Sequence, residues 1–259
     1  MAFFVKGKGK IDMKICFLGT GTSTGVPEMG CECVVCKSYD CNDKRLRSSI
    51  DTNILVDCTP DARQQLMAQP FKRIDAVLIT HEHYDHVGGI EDMRPFNRFG
   101  DLNIYVEPNV ARALKMRMPY VFGDKPYGSV PNIIFKYIDG LSPFKINDVE
   151  IIPIRVMHHK LPILGYRISN FAYLTDLKTL PDEELSKLEN LDVLVVSALR
   201  RNTHISHQTL DEAIALAQKV GAKRTFFTHM SHEVGLHREV NEELPEGFCL
   251  ARDGMEVEF

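Results

Sequence analysis

The 259-residue sequence contains no tryptophan, no apolar run long enough to cross a bilayer, and no excess of basic residues. A transmembrane helix needs about 20 mostly apolar residues in succession, so a membrane-spanning protein is not predicted. Lysine and arginine together number 31, against 35 aspartate and glutamate residues, which gives a formal net charge of −4. Because nucleic-acid binding depends on basic side chains that neutralise phosphates, stable nucleic-acid binding is not expected and a small-molecule partner is favoured.

The seven cysteines are odd in number, and the first twelve residues contain no apolar stretch of secretory-signal length. An odd count without such a signal is typical of a reducing compartment with free or metal-bound thiols. The cytoplasm is therefore the expected location. We predict that residues 1–12 form an N-terminal extension and that residues 13–259 form a single domain, since no linker-like segment or short repeat divides them.

Apolar runs alternate with turn residues along the chain and predict its secondary structure. Buried strands are predicted at 14–18, 52–56, 76–80, 102–106, 192–197 and 225–229, and short antiparallel strands between 133 and 174. Helices are predicted from Pro108 to about Met118, and from the capping box at Thr209 to Gly221. Segment 119–131 is predicted as a loop, and 248–259 as a hairpin turned by Asp253-Gly254. Strand clusters in both halves, with single helices between strands, favour two sheets packed face to face with helices outside, an α+β fold.

A dense cluster of metal-binding residue types directly follows the strand predicted at 76–80. Three histidines and an aspartate occupy six positions, at His81, His83, Asp85 and His86. Imidazole nitrogens and a carboxylate suit divalent zinc, iron or manganese, and ligands on one strand-to-helix loop can serve one metal or two. A solvated polar loop would account for one or two histidines but not for four such residues together.

The pattern His-x-His-x-Asp-His resembles that of the metallo-β-lactamase superfamily, and the resemblance extends along nearly the whole chain. It implies a metallo-β-lactamase-type αββα sandwich with two mixed sheets packed face to face and helices outside. Members of that superfamily place further ligands at later strand ends, where this chain has His158 beside His159, then Asp176, then His229. The resemblance implies one metal held by His81, His83 and His158, a second held by Asp85, His86 and His229, and Asp176 bridging both. His159 is the alternative to His158.

Three further cysteines, Cys31, Cys33 and Cys36, have the close spacing of a zinc knuckle, although buried reduced thiols without a metal are the alternative. From the residues alone, Cys41 is a candidate fourth ligand. Together with the glycine loop at 19–27, the cysteines resemble the phosphonate-pathway cyclic phosphodiesterases. That resemblance implies His232 as the fourth ligand of a structural zinc. The remaining cysteines, Cys16, Cys58 and Cys249, are expected in the core.

Two more positions near the expected site have candidate roles. The resemblance implies a histidine that faces the substrate phosphate just before the helix at Thr209, where His207 fits best and His204 is the second candidate. His207, as general acid or charge stabiliser, and Asp85 are the predicted catalytic residues. Asp57 ends a strand and either orients a ligand imidazole or serves as an N-terminal helix partner.

These residues predict a metal-dependent hydrolase. The most specific hypothesis is a phosphoric diester hydrolase that acts on a small, cyclic or linear, phosphodiester through water activated by two metals. Two catalytic divalent metals (zinc, manganese or iron) and one structural zinc are the expected cofactors. The alternatives are a tRNA 3′-processing-type nuclease, a thioester or lactam hydrolase of the same superfamily, and a non-catalytic metal-binding protein. The sequence leaves the oligomeric state open, with a homodimer as one expectation.

Overall fold

The computed structural model describes residues 13–122 and 131–259. Residues 1–12, predicted as an extension, lie outside the described residues. Residues 123–130 of the predicted loop also lie outside them. Within the described ranges, the strands form two sheets of seven strands each. The predicted α+β class and the two mixed sheets are confirmed.

The first sheet contains the N-terminal strands and the last strand of the chain. Its members are β1 (Lys14–Gly19), β2 (Ser49–Asp51), β3 (Ile54–Val56), β4 (Ala76–Leu78), β5 (Leu102–Val106), β6 (Ile133–Tyr137) and β14 (Glu256–Glu258). They lie in the order β14-β1-β2-β3-β4-β5-β6. The pairings from β14 to β3 are antiparallel and those from β3 to β6 are parallel.

The second sheet repeats this arrangement. Its members are β7 (Phe144–Ile146), β8 (Val149–His158), β9 (Leu161–Ile168), β10 (Phe171–Leu174), β11 (Val193–Ser197), β12 (Arg224–Thr228) and β13 (Phe248–Leu250). Their order follows the sequence, with antiparallel pairings from β7 to β10 and parallel pairings from β10 to β13.

Helices cover the outer faces of the sheets. The α-helices are α1 (Val34–Lys37), α2 (Ala62–Met67), α3 (Tyr84–Val87), α4 (Pro108–Arg117), α5 (Pro119–Phe122), α6 (Leu210–Val220) and α7 (His237–Glu243). Short 3₁₀ helices span Cys41–Asp43, Ile90–Phe99, Asp182–Leu188 and His232–Val234. Helix α6 begins with the predicted capping box between Thr209 and Glu212, and Gly221 ends it in the left-handed conformation, at φ 69°. In the part of the chain that the structure describes, no helix is both long and apolar enough to cross a membrane.

Strand residues alternate between two apolar layers because successive side chains point to opposite faces of a sheet. In β1, Ile15 and Phe17 pack between the two sheets, whereas Cys16 packs outward under the helices of the first sheet. In β11, Val195 packs between the sheets and Val196 packs outward, toward α6. Both faces of these strands are therefore buried, which explains why their sequences are continuous apolar runs.

Three local predictions were wrong. The two strands at the C-terminus do not form a hairpin, since β13 pairs with β12 in the second sheet and β14 pairs with β1 in the first. Residues 119–122, predicted as loop, form α5. The strand β6 was predicted within an antiparallel sheet, but it lies parallel to β5 at the edge of the first sheet.

The topology brings several chain segments to one edge of the sandwich. β3 and β4 run in parallel in the first sheet, and β8, β10 and β12 share one direction in the second. The sheets are joined near this edge, where the Tyr166 hydroxyl donates a hydrogen bond of 2.6 Å to the carbonyl of Ile79. The loops that carry Asp57, His81, Asp176 and His229 all follow the carboxyl ends of these strands.

Candidate metal centre

The histidine-rich loop after β4 meets the later strand ends around Asp176. Metal-ligand atoms that lie within 4.8 Å of one another form three groups around Asp176: Asp85, His86, Asp176 and His229; His81, His83 and Asp176; and His158, Asp176 and His207. The Nε2 atoms of His86 and His229 each lie 3.1 Å from Asp176 Oδ1. His81 Nε2 lies 3.9 Å from Asp176 Oδ2. Asp176 is therefore common to all three groups, with Oδ1 toward His86 and His229 and Oδ2 toward His81.

Of the two adjacent histidines at the end of β8, His158 faces this cluster. Its ring centroid lies 5.3 Å from that of His83 and 5.9 Å from that of His81. Its Nδ1 lies 2.9 Å from the carbonyl oxygen of Asp176, which can only accept, so Nδ1 donates and Nε2 keeps its lone pair. His159 is exposed, in a left-handed turn at φ 56°. The structure therefore brings His158, and not His159, to the cluster.

Asp57 lies fully buried behind the histidines. His86 Nδ1 donates a hydrogen bond of 2.7 Å to Asp57 Oδ2, and the Thr80 hydroxyl donates to the same carboxylate at 2.9 Å. Because the single hydroxyl hydrogen of Thr80 is used there, its oxygen accepts from His81 Nδ1, at 2.9 Å. Asp57 thus orients one imidazole directly and a second through Thr80, and the alternative role as a helix partner does not apply.

The residues that deliver ligand atoms adopt an unusual backbone conformation. Asp57, Asp176 and His229, each just after a strand, have φ values of 62°, 52° and 56°. This left-handed region costs a non-glycine residue about 1–2 kcal/mol, and such strain is concentrated at functional sites. The sharp turn directs each side chain back toward the centre of the cluster instead of along the sheet.

The electrostatics and the unpaired atoms of the cluster fit divalent cations. Burial raises the pKa of Asp176, but His229 and His86 hold that pKa well below its ordinary value, so the carboxylate is charged. Among the described residues, His86 Nε2 and both ring nitrogens of His229 are buried without a hydrogen-bond partner. Buried polar atoms are normally paired, and a metal ion bound through the Nε2 lone pairs of His86 and His229 would satisfy those two atoms.

His207 lies beside the cluster, as predicted for a residue that faces substrate. Its ring stacks on His229 with centroids 5.0 Å apart and planes 18° apart, and it meets His158 edge-on at 4.6 Å. Burial and, to a smaller extent, the neighbouring His229 lower the pKa of His207 to about 3, so the ring is neutral near pH 7. A neutral imidazole offers one N–H donor and one lone pair. His204 lies farther out, 5.0 Å from the His207 ring and half-buried.

The second predicted site forms as a separate cluster. His232 Nδ1 lies 3.0 Å from the Cys31 sulfur, 3.4 Å from that of Cys33 and 3.3 Å from that of Cys36. Although burial opposes it, the N–H of Cys36 and the neighbouring side chains lower the pKa of Cys33 to about 6, which favours the thiolate. Cys41 is exposed and does not join these residues. One imidazole and three sulfurs are a donor set typical of structural zinc.

The glycine loop, residues 19–27, lies between the cysteine cluster and the edge of the sandwich that carries the histidine cluster. Thr22 N donates to Met230 O at 3.0 Å, one residue after His229, and Met230 N donates to Thr20 O at 3.0 Å. A side chain at Gly21 would bring its Cβ within 2.9 Å of Arg45 Cβ, so only glycine allows this approach. The loop therefore packs as a strand-to-loop turn beside the site.

Sequence reasoning missed Thr80 and the left-handed strand ends. Threonine is common in strands, so nothing in its residue type marks it as a hydrogen-bond partner of His81. Its position directly before the motif was the one available signal. The acidic residues that end strands, Asp57 and Asp176, could have indicated left-handed turns, since aspartate tolerates that region better than most residues.

Comparison with known proteins agrees with this geometry. A family model described as a β-lactamase superfamily domain matches residues 52–230. A solved structure described as a new diphosphatase from the PhnP family is 38% identical, covers 96% of this chain and 98% of its own, and has a TM-score of 0.89. The zinc-bound PqqB from Methylobacterium extorquens, at 18% identity, shares the fold over 95% of this chain and 100% of its own, with a TM-score of 0.77.

One curated relative is described by a different activity from the diphosphatase and is longer than this chain. An octanoyltransferase from Porphyromonas gingivalis (strain ATCC BAA-308 / W83) is 42% identical over 252 residues, which are 95% of this chain and 51% of that protein. The chain spans about half the length of the curated relatives it matches. That name therefore describes a molecule about twice as long as the region that matches this chain.

The chain belongs to the β-lactamase superfamily, with the metallo-β-lactamase fold of its metal-dependent hydrolases. Within that superfamily it belongs with the PhnP family, as the 38% identical structure shows. The resemblance inferred from the histidine and cysteine motifs is thereby confirmed, and the fold implies divalent metal ions.

Proposed function

We propose that this protein hydrolyses the phosphorus–oxygen bond of a small phosphodiester. The observation that carries the proposal is the position of Asp176 between two histidine groups, with the neutral ring of His207 stacked beside His229 at 5.0 Å. A thioester or lactam hydrolase has no evident need for an additional imidazole facing the reacting group. The 38% identical diphosphatase supports chemistry at phosphorus.

The proposed ligand sets combine the histidine groups that share Asp176. His81, His83 and His158 would hold one metal and Asp85, His86 and His229 the other, Asp176 would serve both, and zinc, manganese or iron suits these donors. When bound, two such metals acidify a water molecule and neutralise charge on the phosphoryl oxygens. Cys31, Cys33, Cys36 and His232 are assigned to a structural zinc that holds the loop containing α1 against the site.

The side chains of this chain then orient the reaction and handle its protons. Asp57 and Thr80 fix the rings of His86 and His81, each by a hydrogen bond to Nδ1 that leaves Nε2 toward the cluster. His207 donates its N–H to the oxygen that leaves phosphorus, where negative charge develops. Asp85, whose side chain is 14% exposed, is the carboxylate of the cluster most open to solvent, and although burial opposes it, His86 and His229 hold its pKa well below the ordinary value, so it stays charged.

Hydrolysis of a diphosphate is the second candidate, because the 38% identical relative is described as a diphosphatase. Both reactions break a bond between phosphorus and a bridging oxygen, so the same residues can serve either. The octanoyltransferase name gives no comparable support, since this chain matches only 51% of that protein.

The proposal is tested by assaying protein reconstituted with zinc, manganese or iron against four substrates. These are bis(p-nitrophenyl) phosphate, a nucleoside diphosphate sugar, an octanoyl thioester and a β-lactam. We expect hydrolysis of at least one of the first two and none of the thioester. Activity confined to the thioester or the lactam contradicts the proposal, and activity toward none of the four favours a non-catalytic metal-binding protein.

A further inference from the structure

His204 extends the row of imidazoles from the cluster toward solvent. The rings of His229, His207 and His204 follow one another with centroid separations of 5.0 Å at each step. Exposure increases along the row, since His229 is 1% exposed, His207 is 9% exposed and His204 is half-buried. His204 therefore lies at the mouth of the site, one ring beyond the residue proposed to contact the leaving oxygen.

The local hydrogen bonds fix the tautomer of His204. The backbone N–H of Ser206 points at His204 Nδ1 at 3.3 Å, and the Ser206 hydroxyl lies at the same distance. A backbone N–H can only donate, so Nδ1 accepts and the proton of the neutral ring resides on Nε2. Among the residues that the structure describes, none accepts a hydrogen bond from that Nε2. The mouth of the site thus presents an oriented and uncommitted N–H donor.

The Arg200 guanidinium lies beside this residue and is held in place. Its Nη2 donates a hydrogen bond of 3.0 Å to the carbonyl of Thr203, the residue before His204, and its Nη1 pairs with Glu233 at 2.8 Å. Burial lowers the pKa of His204, and Arg200, His158 and Lys178 act in the same direction, whereas Glu233 opposes them. An anchored cation beside a free N–H forms a surface suited to a phosphoryl group, whose oxygens accept several hydrogen bonds at once.

We propose that His204 binds the second phosphoryl group of a diphosphate and thereby makes the site prefer diphosphates over molecules with a single phosphoryl group. The inference rests on the second candidate of the proposed function, hydrolysis of a diphosphate, in which the cluster and His207 take the reacting phosphorus. A ligand extended from that point along the row of rings meets His204 next.

The test is a binding measurement on zinc-reconstituted protein without free metal. Titration calorimetry compares α,β-methylene-ADP, whose diphosphate bridge resists hydrolysis, with AMP, which has a single phosphoryl group. Because a hydrogen bond to a charged group contributes about 1.5–3 kcal/mol, wild-type protein should bind the diphosphate roughly tenfold more tightly than AMP, or better. His204→Ala should remove most of that preference.

Two further variants distinguish a specific role from a structural one. His204→Gln keeps an N–H donor and should restore much of the preference, whereas His159→Ala, which changes an exposed histidine outside the cluster, should retain all of it. Equal affinity of the wild-type protein for both ligands, or an unchanged preference in His204→Ala, overturns the assignment. Hydrolysis of bis(p-nitrophenyl) phosphate, which has one phosphoryl group, is measured on the same preparation and decides the proposed function separately.

Discussion

Asp57 and His86 form a buried hydrogen-bonded pair, with 2.7 Å between the carboxylate Oδ2 and Nδ1 of the ring. Burial raises the pKa of Asp57 above its ordinary value, although His86 and the hydrogen bonds from Thr80 oppose that shift. The same carboxylate reaches His81 through the hydroxyl of Thr80. One side chain therefore sets the orientation of an imidazole in each of the two ligand groups.

Replacing Asp57 with asparagine should weaken metal binding while the fold persists. The amide keeps the shape of the side chain but removes the charge that favours the Nδ1–H tautomer of His86. Loss of such an outer hydrogen bond typically reduces metal affinity by about 10- to 100-fold. Competition with a chelator measures the affinity, and Asp101→Asn, at an exposed position, is the matched control. Wild-type affinity in Asp57→Asn would show that the pair does not orient the ligand.

Thr80→Val and Thr80→Ser together test whether the Thr80 hydroxyl links Asp57 to His81. Valine keeps the volume but leaves the Nδ1 of His81 without an acceptor in the buried site, which should lower the free energy of unfolding by about 1–3 kcal/mol. Metal affinity should fall as well, whereas serine should preserve both quantities. Denaturant titration and chelator competition give the two values. If the two variants behave alike, a role for the Thr80 hydroxyl in this link is contradicted.

His207→Ala should separate metal binding from catalysis. Because His207 is proposed to act on the leaving oxygen and not as a ligand, the metal content should stay at the wild-type level while the turnover of bis(p-nitrophenyl) phosphate falls about 100- to 10,000-fold. Elemental analysis and a steady-state assay measure the two properties, with His159→Ala as control. Unchanged turnover would remove His207 from the mechanism, and loss of metal would instead identify it as a ligand.

The knuckle is tested by comparing two cysteine substitutions. Cys36→Ser removes one of the three sulfurs around His232, so the protein should lose one chelator-resistant zinc per chain and unfold at a lower temperature. Cys41→Ser changes an exposed cysteine outside the cluster and should retain both properties. Zinc analysis after dialysis against a chelator, together with calorimetry, gives the result. Loss of zinc only in Cys41→Ser would contradict the proposed ligand set.

His237 predicts a pH dependence of stability. Burial lowers its pKa to about 4, and the positive charge of Arg45, whose Nη2 donates to His237 Nδ1 at 3.1 Å, acts in the same direction. The unfolded chain takes up this proton near the ordinary pKa of about 6.5, so the stabilisation is fully present above that pH and is lost as the pH falls toward 4. Unfolding free energies from pH 7 to pH 4 should therefore fall less in His237→Gln than in wild type. Equal slopes would contradict the prediction.

The sequence predicted most of the site because its ligands are encoded locally. The motif from His81 to His86 lies within six positions, and His158, Asp176 and His229 each directly follow or end an apolar run that forms a strand. Strand ends of like direction meet at one edge, so recognising the strands was enough to place these residues together. The choice between His158 and His159 required the structure because these neighbours in sequence differ only in the direction of a side chain. The choice between His232 and Cys41 required it because the sequence does not show which of these distant residues lies beside the three cysteines.

The C-terminal strands show where local rules fail. Asp253-Gly254 is a turn sequence of the kind that joins hairpin strands. However, the Asp253 carboxylate accepts hydrogen bonds from the Thr20 hydroxyl at 2.7 Å and from the backbone N–H of Leu46 at 2.6 Å, so the turn is fastened to the glycine loop. The chain passes from one sheet to the other at this point. A short turn cannot indicate which partner each strand will find, since that depends on residues more than 200 positions away.

The ligands of the proposed catalytic metals are spread from His81 to His229, across both sheets. During synthesis, the first sheet can supply His81, His83, Asp85 and His86 long before the segment with His229 has left the ribosome. The cluster becomes complete only when β12 has taken its place beside β11. Of the two proposed ligand sets, the one that contains His229 is therefore completed last, whereas His81, His83, His158 and Asp176 all lie in a chain that ends before residue 229.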